Sequence, residues 1–222
     1  MYKEVKAVIF DFDGLMVDSE RVSERAWDKI SKEYGIQIDT RYYSRTRGMN
    51  NDGAREVFRE MFGNELSYDE IKARKNEYFK ADIEKNGLDK KKGLDELLKY
   101  IGDNDISKAI ASGSSADYVR KCSKIAMISS DFDIIIGGDM ITKCKPDPEV
   151  FEMAAGRLKV MPSECLVLED SINGAEAAIR GGFQIVIVPD SVRPPDELAE
   201  RVNGISDDLS EVIGYIRREN HS

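Results

Sequence analysis

Val5-Lys6-Ala7-Val8-Ile9-Phe10-Asp11-Phe12-Asp13-Gly14 is the stretch whose reading decides the fold. Its first part is short, apolar and rich in β-branched residues, the pattern of a buried strand. Its second part sets two carboxylates at spacing i, i+2 beyond the strand end and follows them with a glycine that can turn the chain. Four further runs of the same kind lie downstream, Ile106–Ala111, Phe132–Ile136, Leu166–Leu168 and Ile185–Val188. Between the later runs lie helical patterns. One of them, Val150, Phe151, Ala154, Ala155 and Leu158, begins after Asp147 as cap and Pro148 as first helical residue. Alternating strands and helices predict an α/β parallel sheet with helices on both faces.

The first strand is far from the second, and the interval carries helical patterns only. Val22, Ala26, Trp27, Ile30 and Tyr34 mark a helix ending at Gly35. Ala54, Val57, Phe58, Met61 and Phe62 mark a second, ending at Gly63. A third opens with a capping box from Ser67 to Glu70 and stops near Asn86-Gly87. Residues 17–90 therefore read as an inserted helical domain, with the main domain made of 1–16 and 91–222. The charged segment Asp89-Lys90-Lys91-Lys92-Gly93 is the return linker, and Leu94, Leu97, Leu98 and Ile101 resume the main domain. An insertion hinged at a strand end suits a lid that excludes water; its plainer reading is a long surface decoration.

Composition narrows the function. At 222 residues, with 41% hydrophobic and 34% charged residues, the chain can bury a full core. A net charge of −9 argues against a nucleic-acid partner, which needs clustered excess Lys and Arg. Cys122, Cys144 and Cys165 have no metal-like spacing, and an odd number suits a reducing compartment. No run approaches the ~20 apolar residues of a membrane helix. The expectation is a cytoplasmic protein without a membrane partner, a monomer or weak dimer.

In open α/β sheets ligands bind beyond the carboxyl ends of the strands, and four polar clusters fall there. Asp11-Phe12-Asp13-Gly14 follows the first strand. Ser112-Gly113-Ser114-Ser115 follows Ala109-Ile110-Ala111 and opens a helix, so its hydroxyl and N–H groups form an anion site. Lys145-Pro146-Asp147-Pro148 presents one ammonium on a chain stiffened by two prolines. Glu169-Asp170-Ser171 follows Leu166-Val167-Leu168, and the next helix has small residues at Gly174, Ala175 and Ala178, as close helix–sheet packing requires. Two acidic pairs in one crevice need a cation, and hard oxygen ligands select Mg²⁺. Each cluster alone also has an ordinary reading as a turn, cap or rigid loop. Their joint placement with complementary charges is what carries weight.

In this order the four motifs resemble those of the haloacid dehalogenase superfamily, over essentially the whole chain. The run Asp11 to Glu20 is similar to its β-phosphoglucomutase-like and sugar-phosphatase branch. The resemblance implies a Rossmann-like core, an inserted helical cap and an Mg²⁺-dependent phosphatase acting on a small phosphomonoester, a sugar phosphate, through an aspartyl-phosphate. It implies Asp11 as nucleophile, Asp13 as acid–base, and Ser112, Gly113, Ser114 and Lys145 as phosphate ligands. Asp11, the Asp13 carbonyl, Glu169 and Asp170 become the metal set, Glu169 directly or at one remove. Glu20, Arg25, Asn50, Asn51 and Lys75 are the cap candidates for substrate choice, with solvated helix faces as their plainer reading.

Two departures favour hydrolysis over the mutase activity of the same branch. Ser23 stands where the mutase cap has a histidine, and the chain's one histidine is His221. Asn50-Asn51 stands where the mutase has an arginine for the second phosphate, leaving Arg47 and Arg55 as candidates to replace it. The remaining alternatives are a mutase, a dehalogenase, which would need neither Asp13 nor a metal, and a catalytically silent phosphate-binding protein.

Overall fold

The computed structural model describes residues 4–46, 51–132, 134–190 and 193–220. Strand β1 (Ala7–Phe10) is followed by four helices, α1 (Ser19–Tyr34), α2 (Thr40–Thr46), α3 (Asn51–Phe62) and α4 (Tyr68–Asn86). The chain then runs α5 (Leu94–Asp103), β2 (Ser107–Ala111), α6 (Ala116–Ile125), β3 (Ile135–Ile136), α7 (Glu149–Leu158), β4 (Cys165–Glu169), α8 (Ile172–Arg180), β5 (Gln184–Ile187), α9 (Asp196–Ala199), β6 (Gly204–Ile205) and α10 (Val212–Asn220). It divides into two compact units, Met1–Asp18 with Asp89–Ser222, and Ser19–Leu88. No helix among the described residues is long and apolar enough to cross a membrane.

The larger unit is built on a six-stranded parallel sheet of order β3-β2-β1-β4-β5-β6. This is a Rossmann-like order: the chain winds outward from β1 to β3, then crosses back to β4 and winds the other way, so successive right-handed crossovers place helices on opposite faces. β1 lies at the centre, with Ala7 opposite both Ser107 and Cys165. All four of its residues are fully buried, which both-face coverage demands. One face packs Ala7, Ile9, Ala109, Val167 and Ile185 against Val150, Phe151 and Ala154 of α7 and Ala175 and Ala178 of α8.

The segments that leave and re-enter this unit are tied together. Val17 bridges Lys90 antiparallel, Asp18 N–H donates to the Asp89 carbonyl at 2.9 Å, and Lys91 N–H to the Met16 carbonyl at 2.9 Å. Gly93, at φ +83°, has room for no side chain, because a Cβ there would stand 2.2 Å from the Ser210 nitrogen.

The smaller unit packs Trp27, Ile30, Ile38, Tyr42, Val57, Phe58 and Ile71 into its own core. Helix α4 starts where the capping pattern places it, with the Ser67 hydroxyl accepting from Glu70 N–H at 3.4 Å. Helix α2 is an addition to the sequence reading. It is short and mostly polar, and Tyr42, packed edge-on to Trp27 with ring centroids 5.5 Å apart, is its main anchor.

Candidate active site

The ends of β1, β2 and β4 lie side by side, with the reversal of winding between β1 and β4. That switch point is where an open α/β sheet leaves a crevice, and the functional candidates of the larger unit gather there. Asp11 stays in strand register, its N–H donating to the Leu168 carbonyl at 3.0 Å, before Gly14 turns the chain at φ +83°. Phe12, between the two aspartates, is fully buried. The inward ring of the middle residue leaves Asp11 and Asp13 to face the crevice.

Lys145 joins two of the motifs. Its ammonium donates to Asp11 Oδ1 at 2.5 Å, to Glu169 Oε1 at 2.6 Å and to the Ala111 carbonyl at 3.3 Å. Glu169, 1% exposed, uses its other oxygen to accept from Asp170 N–H at 3.1 Å, Ser171 N–H at 3.0 Å and Ser171 Oγ at 2.8 Å. Both Glu169 oxygens are thus engaged in aiming Lys145 and closing the loop before α8. Gly174 makes this seat possible, since a Cβ there would lie 1.8 Å from Glu169 Oε1. Its smallness serves the carboxylate, whereas that of Ala175 and Ala178 serves helix–sheet packing. Gly14 has the same relation to the other acid: a Cβ would stand 2.4 Å from Asp170 Oδ2.

Asp11, Glu169 and Asp170 each offer an oxygen within 4.8 Å of the others. Burial pushes the Asp11 carboxyl up to about 7; Lys145 opposes that rise while Glu169 and Asp13 add to it. Burial, then Glu169 and Asp11, hold Asp170 well above the usual carboxylate range. Burial alone would lower the Lys145 ammonium, but Asp11 and Glu169 outweigh it and keep it charged. Ionised together, the three carboxylates would outnumber the one ammonium by two charges, a surplus that burial resists unless a cation is present. An all-oxygen donor set with that surplus fits a hard divalent cation.

The serine loop after β2 is fixed from below. Ser112 is 1% exposed, and its Oγ accepts from Ser114 N–H at 3.0 Å while retaining its own proton to donate. Ser115 caps α6, accepting from Tyr118 N–H at 3.4 Å. Under the loop lies Gly137-Gly138-Asp139, which the sequence reading passed over. Gly138 N–H donates to the Ser114 carbonyl at 2.8 Å, and Asp139 Oδ1 accepts from Ala116 N–H at 2.8 Å. A Cβ at Gly137 would meet the Ala116 nitrogen at 2.2 Å, and one at Gly138 the Gly113 carbonyl oxygen at 2.2 Å. The available signal was a glycine pair directly after an apolar run.

Asp13 has two hydroxyl partners that its local sequence does not announce. Ser114 Oγ donates to its Oδ2 at 2.7 Å and Tyr118 OH to its Oδ1 at 3.1 Å. Burial, then the charge of Asp13, push the Tyr118 phenol upward, so it stays protonated and a donor.

The candidates of the smaller unit are more scattered. Arg25 donates through Nε at 2.8 Å and Nη2 at 2.5 Å to Asp82 Oδ2, whose Oδ1 accepts from Asn86 at 2.8 Å. That network locks α1 to α4. The Lys75 ammonium lies 4.8 Å from the Phe79 ring centroid and 5.8 Å from that of Trp27. Glu20 is exposed in the first turn of α1. Asn51 opens α3, with its side chain outside the description, and Asn50 and Arg47 lie outside the described residues. Arg55 is held by Asp52 at 2.5 Å and Asp69 at 2.9 Å.

Comparison with known proteins places the chain in a family. The family model described as haloacid dehalogenase-like hydrolase matches residues 8–188, and the chain belongs to that family. It is 33% identical over 190 residues to the Bacillus subtilis protein named "Putative phosphatase YhcW", covering 85% of each chain. It is 31% identical to Beta-phosphoglucomutase of the same organism, covering 81% of each. It is 27% identical to the Phosphorylated carbohydrates phosphatase of Thermotoga maritima, covering 81% of this chain and 83% of the relative.

Proposed function

We propose that this hydrolase is an Mg²⁺-dependent phosphatase acting on a small phosphorylated metabolite, a sugar phosphate, through an aspartyl-phosphate on Asp11. The observation that carries the reading is the buried Asp11–Lys145–Glu169 chain at the switch point, with Asp170 beside it. The T. maritima and B. subtilis relatives support a phosphorylated carbohydrate as the substrate class.

An Asp11 oxygen attacks phosphorus, the ester P–O bond breaks, and its electron pair leaves with the alcohol oxygen, which takes a proton from Asp13. Water then attacks the aspartyl-phosphate, Asp13 takes the water's proton, and Asp11 returns as carboxylate with release of inorganic phosphate. Ser112 Oγ and the Gly113 N–H hold the non-bridging oxygens and Lys145 neutralises them, while the Ser114 N–H, also expected in this cradle, is given to Ser112 Oγ and holds that hydroxyl in place. A carboxylate meeting a phosphate is repelled by ~4 kcal/mol per charge pair at 4 Å and an effective dielectric near 20. Asp11, Asp170 and the Asp13 carbonyl would hold Mg²⁺, with Glu169 acting through Lys145, and the bound ion would supply the rest of that charge compensation.

The mutase reading stays as the second, because of the phosphoglucomutase relative. Against it, Arg55, the described candidate for a second phosphate, is already paired with Asp52 and Asp69. A panel of sugar phosphates assayed with Mg²⁺, with released phosphate and isomerised product measured together, separates the readings. Phosphate release at every turnover, stopped by chelator and restored by Mg²⁺, is expected. Isomerisation without phosphate release, primed by a sugar bisphosphate, would replace the phosphatase by the mutase. No turnover on any substrate would leave a silent phosphate-binding protein.

A further inference from the structure

Asp13 lies past the end of β1 on the loop that Gly14 turns; an isolated bridge to Val17 holds its backbone, but no strand neighbour sets the direction of its side chain. Proton transfer requires a carboxyl aimed to within a few tenths of an ångström, so something else must hold it. Both of its oxygens are taken by hydroxyls, Ser114 from the loop before α6 on Oδ2 at 2.7 Å and Tyr118 from the first turn of α6 on Oδ1 at 3.1 Å. These hydroxyls have rigid supports. The Ser114 carbonyl is held by Gly138 N–H at 2.8 Å, and the Tyr118 N–H by Ser115 Oγ at 3.4 Å. The Tyr118 ring stands edge-on to buried Phe12, with centroids 6.4 Å apart and planes at 88°. Phe12 therefore both separates the two aspartates and braces the phenol that orients the second. A carboxylate accepts at about four positions, so one hydroxyl on each oxygen leaves room for a leaving oxygen or a water.

We propose that Ser114 and Tyr118 are positioning residues: their hydroxyls aim the Asp13 carboxyl for proton transfer to the leaving group and from water. The inference rests on the acid–base reading of Asp13 given above. Neither hydroxyl gains or loses a proton over the cycle.

The test uses leaving groups that differ in their need for a proton. Dinitrophenolate departs as a stable anion, whereas phenolate is expelled with difficulty unless protonated. The whole protein and its Ser114→Ala, Tyr118→Phe and Asp13→Asn variants are assayed with Mg²⁺ on phenyl phosphate and dinitrophenyl phosphate. The quantity compared is kcat/KM, which reports the steps through transfer to Asp11. General acid catalysis is worth about 10²–10⁴-fold, so a misaimed acid should lower kcat/KM on the phenyl ester by roughly tenfold or more and on the dinitrophenyl ester by less than about twofold. Equal losses on both esters, the mark of a purely structural role, would overturn the inference, as would no loss on either. Ser114→Ala keeps the backbone N–H that holds Ser112 Oγ and carries the test by itself should Tyr118→Phe fail to fold. If Asp13→Asn itself lacks the selective loss, the acid–base reading fails and takes the inference with it. If the parent turns over neither ester, the variants are compared on the sugar phosphates of the panel, whose alkoxide leaving groups need the proton; a loss there in Asp13→Asn without one in Ser114→Ala or Tyr118→Phe overturns the inference.

Discussion

Asp11→Asn is expected to abolish phosphate release, lowering kcat by at least about a thousandfold on every substrate, because the nucleophile is lost and the displacement no longer divides into two easier steps. Unfolding does not explain such a loss. The folded protein holds the Asp11 carboxyl at about 7 against an ordinary 3.8, chiefly through burial. Ionising it therefore removes stability as pH rises from about 4 through 7, the opposite sign to an exposed salt-bridged aspartate. An uncharged isostere is spared that penalty and leaves Lys145 its bond to Glu169. In chelator at pH 8 the variant should unfold at a temperature no lower than the parent. A folded variant that still releases phosphate would remove Asp11 from the reaction.

Lys145→Ala should damage both function and fold. Its ammonium is the one cation between Asp11 and Glu169 among the described contacts, and its side chain is 12% exposed while that of Glu169 is 1% exposed. Removing one member of a buried ion pair leaves the partner charge unpaired and costs about 3–5 kcal/mol. For a chain of this length that lowers the unfolding temperature by roughly 10 °C. Phosphate release should fall by about 10²–10³-fold, the cost of losing one group that stabilises charge in the transition state. Thermal unfolding in chelator and steady-state phosphate release measure the two effects. A variant as stable as the parent would show that the triad is not a stabilising buried pair.

Much of this was legible in the sequence, because open α/β folds make it so. A buried parallel strand must be apolar, and ligands collect at its carboxyl end, so Asp11, Ser112 and Glu169 declare themselves by following Phe10, Ala111 and Leu168. The sheet edges were harder. Of the described residues in the run Phe132–Ile136, Ile135 and Ile136 form β3, and β6, Gly204–Ile205, is too short and mixed to give a pattern. Tertiary pairing was out of reach: Ser114 and Tyr118 meet Asp13 across about a hundred residues of chain, a separation no local periodicity encodes. Glu169 shows the same limit. Its residue type marked an acidic site, while its work of steering Lys145 depends on the fold and on the missing side chain of Gly174.

The proposal that Asp11 and Asp170 share one divalent ion is tested most directly by following thermal unfolding of the parent and Asp170→Asn as Mg²⁺ is raised from zero. Binding to the folded state alone lifts the parent's unfolding temperature with concentration. The carboxylate cluster predicts that rise for the parent and its loss in Asp170→Asn. Equal rises in both proteins, or none in the parent, would contradict it.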